Sequence, residues 1–198
     1  MFRLAVVGCG RVFSRYHLRA LRARSDVRIV GAVETDADRL EWARGELSGA
    51  ECGTDLVTLL DRVEVDGVLI ATPPPAHADA AVACLERRLP VLVEKPMAAT
   101  LFDAQRIVDA QDRSRTPLIV GFNRRFYGAY RALGPRVATT LPELEIEYRF
   151  IAEQDRWGTG SPVRDPARVL DDIGCHALDL LSFLTGSPVR ELRASALN

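Results

Sequence analysis

The sequence predicts a doubly wound α/β domain followed by a smaller α+β segment. Three observations carry this. Short apolar runs without polar alternation recur as far as Val120, separated by helical patterns, as expected of strands buried on both faces of a parallel sheet. A Gly-x-Gly turn stands between the first apolar run and the first helical stretch. Beyond about Leu133 the pattern changes to alternating apolar and polar residues, typical of a half-exposed antiparallel strand. The domains are accordingly placed at 1–122 and 123–198.

Taken in order, Leu4-Ala5-Val6-Val7 reads as a buried strand and Val12 to Arg24 as a helix. Arg28 to Val33 is a second strand and Asp36 to Leu47 a helix, with a short helix over 55–62. Gly67 to Ala71 is a strand and Ala76 to Arg88 a helix. Val91-Leu92-Val93 is a strand, Leu101 to Arg113 a helix, and Leu118-Ile119-Val120 the last strand of the series. Strand–helix units repeated in this way build a doubly wound sheet. In the second segment Leu144 to Ala152 alternates as one strand. A Gly/Pro/Ser-rich loop covers 157–164. Asp165 as N-cap and Pro166 at the first helical position open a helix that ends at Gly186, and a final strand is expected near Val189.

The composition is that of an ordinary globular chain able to bury a core. Of 198 residues, 47% are hydrophobic and 27% charged, and the net charge is -1. Acids and bases are interspersed, so no basic face of the kind that binds nucleic acid stands out. No apolar run is long enough to span a membrane, and no secretory signal is read at Met1-Phe2-Arg3-Leu4. Cys9, Cys52, Cys84 and Cys175 form no Cys-x-x-Cys pair. That argues against zinc and against a disulfide framework, and makes the cytoplasm the expected compartment.

Gly8-Cys9-Gly10-Arg11-Val12 has the order strand, tight turn, helix that a phosphate site needs. The glycines let a pyrophosphate approach the backbone, and the helix start offers N–H groups and a positive dipole end. The second strand ends at Glu34. An acid there is placed to accept hydrogen bonds from the adenosine ribose and would repel a 2′-phosphate, which favours NAD over NADP; the alternative is a capping or surface acid. Arg39 lies nearby on the next helix.

One lysine stands among the 26 basic residues. An arginine stays charged and cannot exchange protons, whereas a lysine can. Lys95 is therefore either a chance survivor or a proton-handling group, and its setting separates the two. It follows the strand 91–93, at the carboxyl edge where ligands bind in open α/β sheets. Pro96 holds it extended, Glu94 is placed to hold or tune it, and Thr72-Pro73-Pro74-Pro75 forms a rim beside it. His77 opens the next helix, either as a packing residue or as a ligand contact. Farther on, Asp172, His176 and Asp179 are spaced four and three apart and form one polar stripe on a helix. Asp172 and His176 make either a proton-transfer pair or a plain surface pair. Gly174 inside that helix suggests a close neighbour.

Together these pieces resemble the Gfo/Idh/MocA (glucose–fructose oxidoreductase/inositol dehydrogenase) family. The matching segments are Val7-Gly8-Cys9-Gly10-Arg11-Val12 with Tyr16-His17, then Asp66 to Pro74 with His77, Glu94-Lys95-Pro96, Gly121-Phe122-Asn123-Arg124-Arg125-Phe126 and Asp172-Ile173-Gly174-Cys175-His176. The resemblance implies a Rossmann-like first domain and a second domain for substrate binding and oligomerisation. It implies an NAD(P)-dependent dehydrogenase moving a hydride between nicotinamide and a polyol, inositol or sugar-type alcohol or ketone. Carried over, His176 is the leading acid/base, Lys95 polarises the substrate oxygen and Asp172 orients the pair. Gly8, Gly10, Arg11, Val12, Glu34, Thr72, Pro73, His77, Glu94 and Lys95 serve the cofactor, while Arg125 and Asp155 face substrate. No metal is implied. A cis peptide before Pro96, a structural role for His17 and a homo-oligomer also follow from the resemblance.

Three features depart from the family pattern. Phe13 stands where a small residue usually completes the phosphate turn. Arg164-Asp165-Pro166-Ala167-Arg168 replaces a glycine-rich stretch before the Asp-x-x-x-His helix. The chain is also short, stopping near the second strand of the second-domain sheet. Two rivals to a dehydrogenase follow: a non-catalytic NAD-binding sensor or scaffold, and a hydrolase that retains NAD and uses transient oxidation.

Overall fold

A computed structural model describes residues 1–140, 145–147, 149 and 173–193. The chain divides into two compact units, Met1–Gly121 and Phe122–Asn198.

In the first unit, β1 (Phe2–Val7), β2 (Val27–Val33), β3 (Glu51–Gly53), β4 (Gly67–Ile70), β5 (Val91–Val93) and β6 (Leu118–Val120) form one parallel sheet in the order β3-β2-β1-β4-β5-β6. The helices of this unit are α1 (Leu18–Arg22), α2 (Ala37–Glu46), α3 (Leu56–Arg62), α4 (His77–Glu86) and α5 (Leu101–Ser114). The strand order reverses between β1 and β4, which makes the ends of those strands the switch point where open α/β sheets take ligands.

Side-chain alternation explains how both sheet faces are filled. Ala5, Val7, Val68 and Ile70 pack with Ala78, Ala81, Cys84, Leu85, Ile107 and Ala110 of α4 and α5. The alternate residues Val6, Ala32 and Leu69 pack with Phe13, Leu18, Ala43 and Leu47 on the opposite face. Burial on both faces is the reason these strands carry no polar alternation.

Local caps set the helix starts. The Asp36 carboxylate accepts from Arg39 N at 3.0 Å, Asp55 from Thr58 N at 2.7 Å, and Thr100 Oγ1 from Asp103 N at 3.0 Å. The helix α5 ends at Arg115 in the left-handed region, with φ 56°.

The structure departs from the sequence expectation in several elements. β3 was not expected; its three residues pair with Gly31, Ala32 and Val33, and so short a strand leaves no periodicity to read. The first helix is not uniform, because Phe13–His17 forms a π-helical stretch that precedes α1. In the second unit Gly128–Thr140 is an unpredicted helix, α6, which tolerates Pro135 in its interior. Cys175–Thr185 forms α7, which stops at Gly186 with φ 64° as the sequence indicated. Val137, Leu180 and Leu184, with Tyr130, form the small core joining α6 to α7. Of the expected strand 144–152, the described residues Glu145, Ile146, Glu147 and Arg149 are exposed and lie in no strand. Ser187–Arg193 likewise form no strand, and Val189 and Leu192 are exposed. The loop 157–164 and the helix opening at Asp165 and Pro166 lie outside the described residues.

Candidate functional site

The phosphate turn is built by close approach of two strand ends. Gly8 has φ 92°, and a Cβ on it would lie 2.7 Å from Thr72 N and 2.8 Å from the Ala71 carbonyl group. Only glycine fits both the backbone conformation and that contact. A Cβ on Gly10 would meet nothing within 4 Å, so the space above it is open. Arg11 and Val12 follow, both exposed, in the opening helical turn, whose leading N–H groups have no acceptor within the helix. Phe13 is fully buried and packs edge-on to Trp42 with ring centroids 6.4 Å apart. It therefore points away from the turn and fills the space between the helices and the sheet. Room for an anion over Gly10, beside a helix start, fits a dinucleotide pyrophosphate.

Glu34 is buried and held by three backbone donors. Its Oε1 accepts from Thr35 N at 2.8 Å and Asp36 N at 3.0 Å. Its Oε2 accepts from Cys9 N at 2.9 Å and lies 3.3 Å from Arg39 Nε. Three backbone N–H groups thus donate to the carboxylate, with the Arg39 guanidinium paired to it, so Glu34 shapes the phosphate turn from the end of β2. Burial, with the Glu34 charge second, pushes the Cys9 thiol up to about 12, so it is an inert core group.

Thr72, Glu94, Lys95 and Gly121 stand at the carboxyl ends of three neighbouring strands. Glu94 N donates to Ile70 O at 2.9 Å, and Gly121 N to Val93 O at 2.8 Å. Thr72 and Pro73 form the rim beyond β4, and the Thr72 hydroxyl oxygen is buried with no hydrogen-bond partner. The Lys95–Pro96 peptide is cis, as the resemblance implied, and Lys95 is half-buried. His77 is wholly buried; its Nε2 lies 2.8 Å from Thr72 O and its Nδ1 3.0 Å from Pro96 O. No face of the ring is left for a ligand, so its contact reading gives way to a bracing one across the rim. Glu94 likewise turns into the protein. Its Oε1 is 2.7 Å from His17 Nε2, and its Oε2 accepts from Lys95 N at 3.1 Å. Burial pushes the Glu94 carboxyl up. The His17 hydrogen bond and charge, with the Lys95 N–H and charge, outweigh that, and the net direction is down.

In the second unit His176 is buried near the start of α7, with the Phe122 ring edge-on at 6.1 Å. Gly174 lies in a π-type turn with Ile173 just ahead of α7. Arg125, expected to face substrate, is held by Asp179. Arg125 Nε donates to both carboxylate oxygens, at 3.0 and 2.9 Å, and Nη2 makes a further contact. The guanidinium also lies over the Phe122 and Phe183 rings, at 5.7 and 5.3 Å. The hydrogen bonds to Asp179 raise the Arg125 pKa further. Asp155 and Asp172 lie outside the described residues. Among the described residues no cluster of His, Cys, Asp and Glu could hold a metal ion, and no helix is long and apolar enough to cross a membrane.

Sequence reasoning missed two groups that shape these sites. Asp179 was visible as part of the polar stripe, but its partner is 54 residues away in sequence. Gly121 stood in the matched segment Gly121–Phe126, but nothing there pointed to Glu94. A Cβ there would lie 3.3 Å from the Glu94 carboxyl carbon and both its oxygens, so glycine makes room for that carboxylate.

A parallel sheet of this order, with a glycine turn open to a pyrophosphate at its switch point, defines the class: a doubly wound α/β protein of the dinucleotide-binding type. The model of an oxidoreductase family with an NAD-binding Rossmann fold matches residues 2–122, and the chain belongs to this Gfo/Idh/MocA family. It is 31% identical to inositol 2-dehydrogenase 2 of Saccharopolyspora erythraea over 94% of this chain and 54% of that protein. It is 32% identical to the D-apiose dehydrogenase of Paraburkholderia graminis over 98% of this chain and 52% of that one. The fold is also that of the WlbA dehydrogenase from Chromobacterium violaceum, solved with NADH and UDP-GlcNAcA. That likeness has a TM-score of 0.76 and 24% identity, and covers 92% of this chain and 55% of the other. The chain thus spans about half the length of the curated relatives it matches.

Proposed function

We propose that the protein is a dehydrogenase that moves a hydride between a nicotinamide dinucleotide and a polyol, inositol or sugar-type alcohol or ketone. The observation that carries this is the Glu94-Lys95-Pro96 segment at the carboxyl end of β5, on the same sheet edge as the Gly8/Gly10 turn. Relatives named as inositol and apiose dehydrogenases support the substrate class. The residues present fit the cofactor: Gly8 and Gly10 clear the approach to the turn, Arg11 and Val12 supply the helix start, and Thr72 and Pro73 form the rim. When bound, the dinucleotide supplies the hydride acceptor or donor. Lys95 polarises the substrate oxygen through its ammonium, His176 exchanges the hydroxyl proton, and Asp172 orients the pair. Asp155 faces substrate. NAD is preferred over NADP because the buried Glu34 charge sits where a 2′-phosphate would approach, although Arg39 partly offsets it.

The test is direct. Calorimetry with NADH and NADPH is expected to show tighter binding of NADH. Turnover of a polyol panel, followed at the nicotinamide absorbance band, is expected to fall at least about a hundredfold in Lys95→Arg, which keeps charge but loses the compact, exchangeable ammonium. Undiminished turnover in that variant defeats the assignment of Lys95. NADH binding with no turnover on any member of the panel supports the sensor reading instead.

A further inference from the structure

The chain has three histidines. The proposed chemistry uses His176, and His77 is closed off in the core. His17 has no part in that chemistry beyond the structural role the resemblance implies, and its setting shows what that role could serve. It ends the five-residue π-helical stretch that follows the phosphate turn. Such stretches shift the register of a helix face and re-aim the side chains that follow. Here the ring of His17 meets Glu94 at 2.7 Å, 77 residues away in sequence. Both side chains are largely buried, with 23% and 15% of their surfaces exposed.

Glu94 in turn is gripped on three sides. His17 holds one oxygen, the Lys95 N–H holds the other, and Gly121 leaves just enough space for the carboxylate. On the far side of Lys95 the Pro96 carbonyl is held by His77. Lys95 thus sits between two anchored neighbours, and the anchor on the Glu94 side comes from the helix that begins at the phosphate turn.

We infer that His17 is a positioning residue: through Glu94 it ties the Lys95 segment to the helix of the phosphate turn, so that an anion on the turn and the ammonium of Lys95 are held in one frame. A neutral or a protonated imidazole can donate from Nε2 to the carboxylate, and the pair is strongest when the ring is charged. Glu94 acts here by holding the backbone of Lys95. This rests on the proposed function only in assigning Lys95 to the cofactor edge; the coupling of His17 to Lys95 stands on the contacts alone.

The single lysine makes the test clean. Reductive methylation with ¹³C-formaldehyde labels the Lys95 side chain and the chain's amino terminus, and the ε-dimethyl resonance reports on Lys95 alone. The full chain is compared with His17→Gln, which keeps a donor near the ring Nε2 position, and with His17→Leu, which removes it. The expected result is an apo Lys95 resonance that shifts or broadens in His17→Leu and returns to the wild-type position in His17→Gln. NADH affinity is expected to fall about fivefold to tenfold in His17→Leu and to recover in His17→Gln. A Lys95 resonance unmoved in His17→Leu, or moved equally in both variants, overturns the inference. The response of wild type to NADH is judged separately. A Lys95 resonance that ignores NADH defeats the placement of Lys95 at the cofactor, while leaving the His17 coupling to be decided by the apo spectra.

Discussion

Gly8 and Gly10 look equivalent in the motif but do different physical work. Gly8 is forced by the protein itself, because its φ of 92° and the 2.7 Å approach to Thr72 N leave no room for a Cβ. Gly10 faces open space. Gly8→Ala is therefore expected to destabilise the fold by roughly 2–4 kcal/mol through backbone strain and displacement of the β4 end. Gly10→Ala is expected to leave the melting temperature close to wild type while weakening NADH binding, since its methyl group would occupy the pyrophosphate approach. Thermal unfolding and NADH calorimetry on the two variants check this, and equal melting losses would contradict it. Glu34 teaches the same lesson. Its type and position were legible as an acid ending the second strand, but its commitment to Cys9 N, Thr35 N and Asp36 N was not, because those bonds depend on how the chain turns in space.

Among the elements, α7 shows how a polar stripe can be read correctly in spacing and incompletely in purpose. His176 and Asp179 lie one turn apart, and the apolar residues Leu180 and Leu184 face α6 as the helical period requires. Asp172 and His176 were read as either a proton-transfer or a plain surface pair, with Asp179 only completing the stripe, yet Asp179 is spent on Arg125 and ties the Asn123–Phe126 turn to α7. With Asp179 buried and Arg125 partly exposed, Arg125→Met is expected to cost about 1–3 kcal/mol, because a buried carboxylate loses its partner. Adding Asp179→Asn to Arg125→Met is expected to recover part of that loss. A double-mutant cycle by urea unfolding measures the coupling, and strict additivity would show the pair to be idle. The π-helical stretch Phe13–His17 was equally hidden, since a π turn uses the same residue types as an α turn. The short β3 and the proline-containing α6 were missed because neighbours stabilise them, not their own propensities.

Acid unfolding of the chain as a unit reports on the contacts that close its sheet. Asp66, in the turn before β4, accepts from Arg3 N at 2.7 Å, Arg3 Nε at 3.1 Å and Arg3 Nη2 at 2.8 Å. The Arg3 guanidinium bonds first, then the Arg3 N–H, hold the Asp66 carboxyl down at about 2. A carboxyl depressed in the folded state contributes stability that is complete above its unfolded value, near 4, and is lost as pH falls through the folded value. Wild type is thus expected to lose stability between pH of about 4 and about 2. Asp66→Asn is expected to be less stable at neutral pH and to show a shallower loss across that window. Urea midpoints taken against pH check both the sign and the range.

The amino-acid sequence by itself determined the parallel sheet, most of its strand and helix order, the phosphate turn and the isolation of Lys95 at a strand's carboxyl end. These are matters of periodicity, glycine placement and residue type within a few positions of one another, and such signals survive in one dimension. Only the tertiary structure decided that Glu34 shapes the turn, that His77 braces the rim, that His17 reaches Glu94 and that Asp179 takes Arg125. Each of these links joins groups whose hydrogen-bonding capacity is common to many positions, and burial and distance select the partner after the chain has folded.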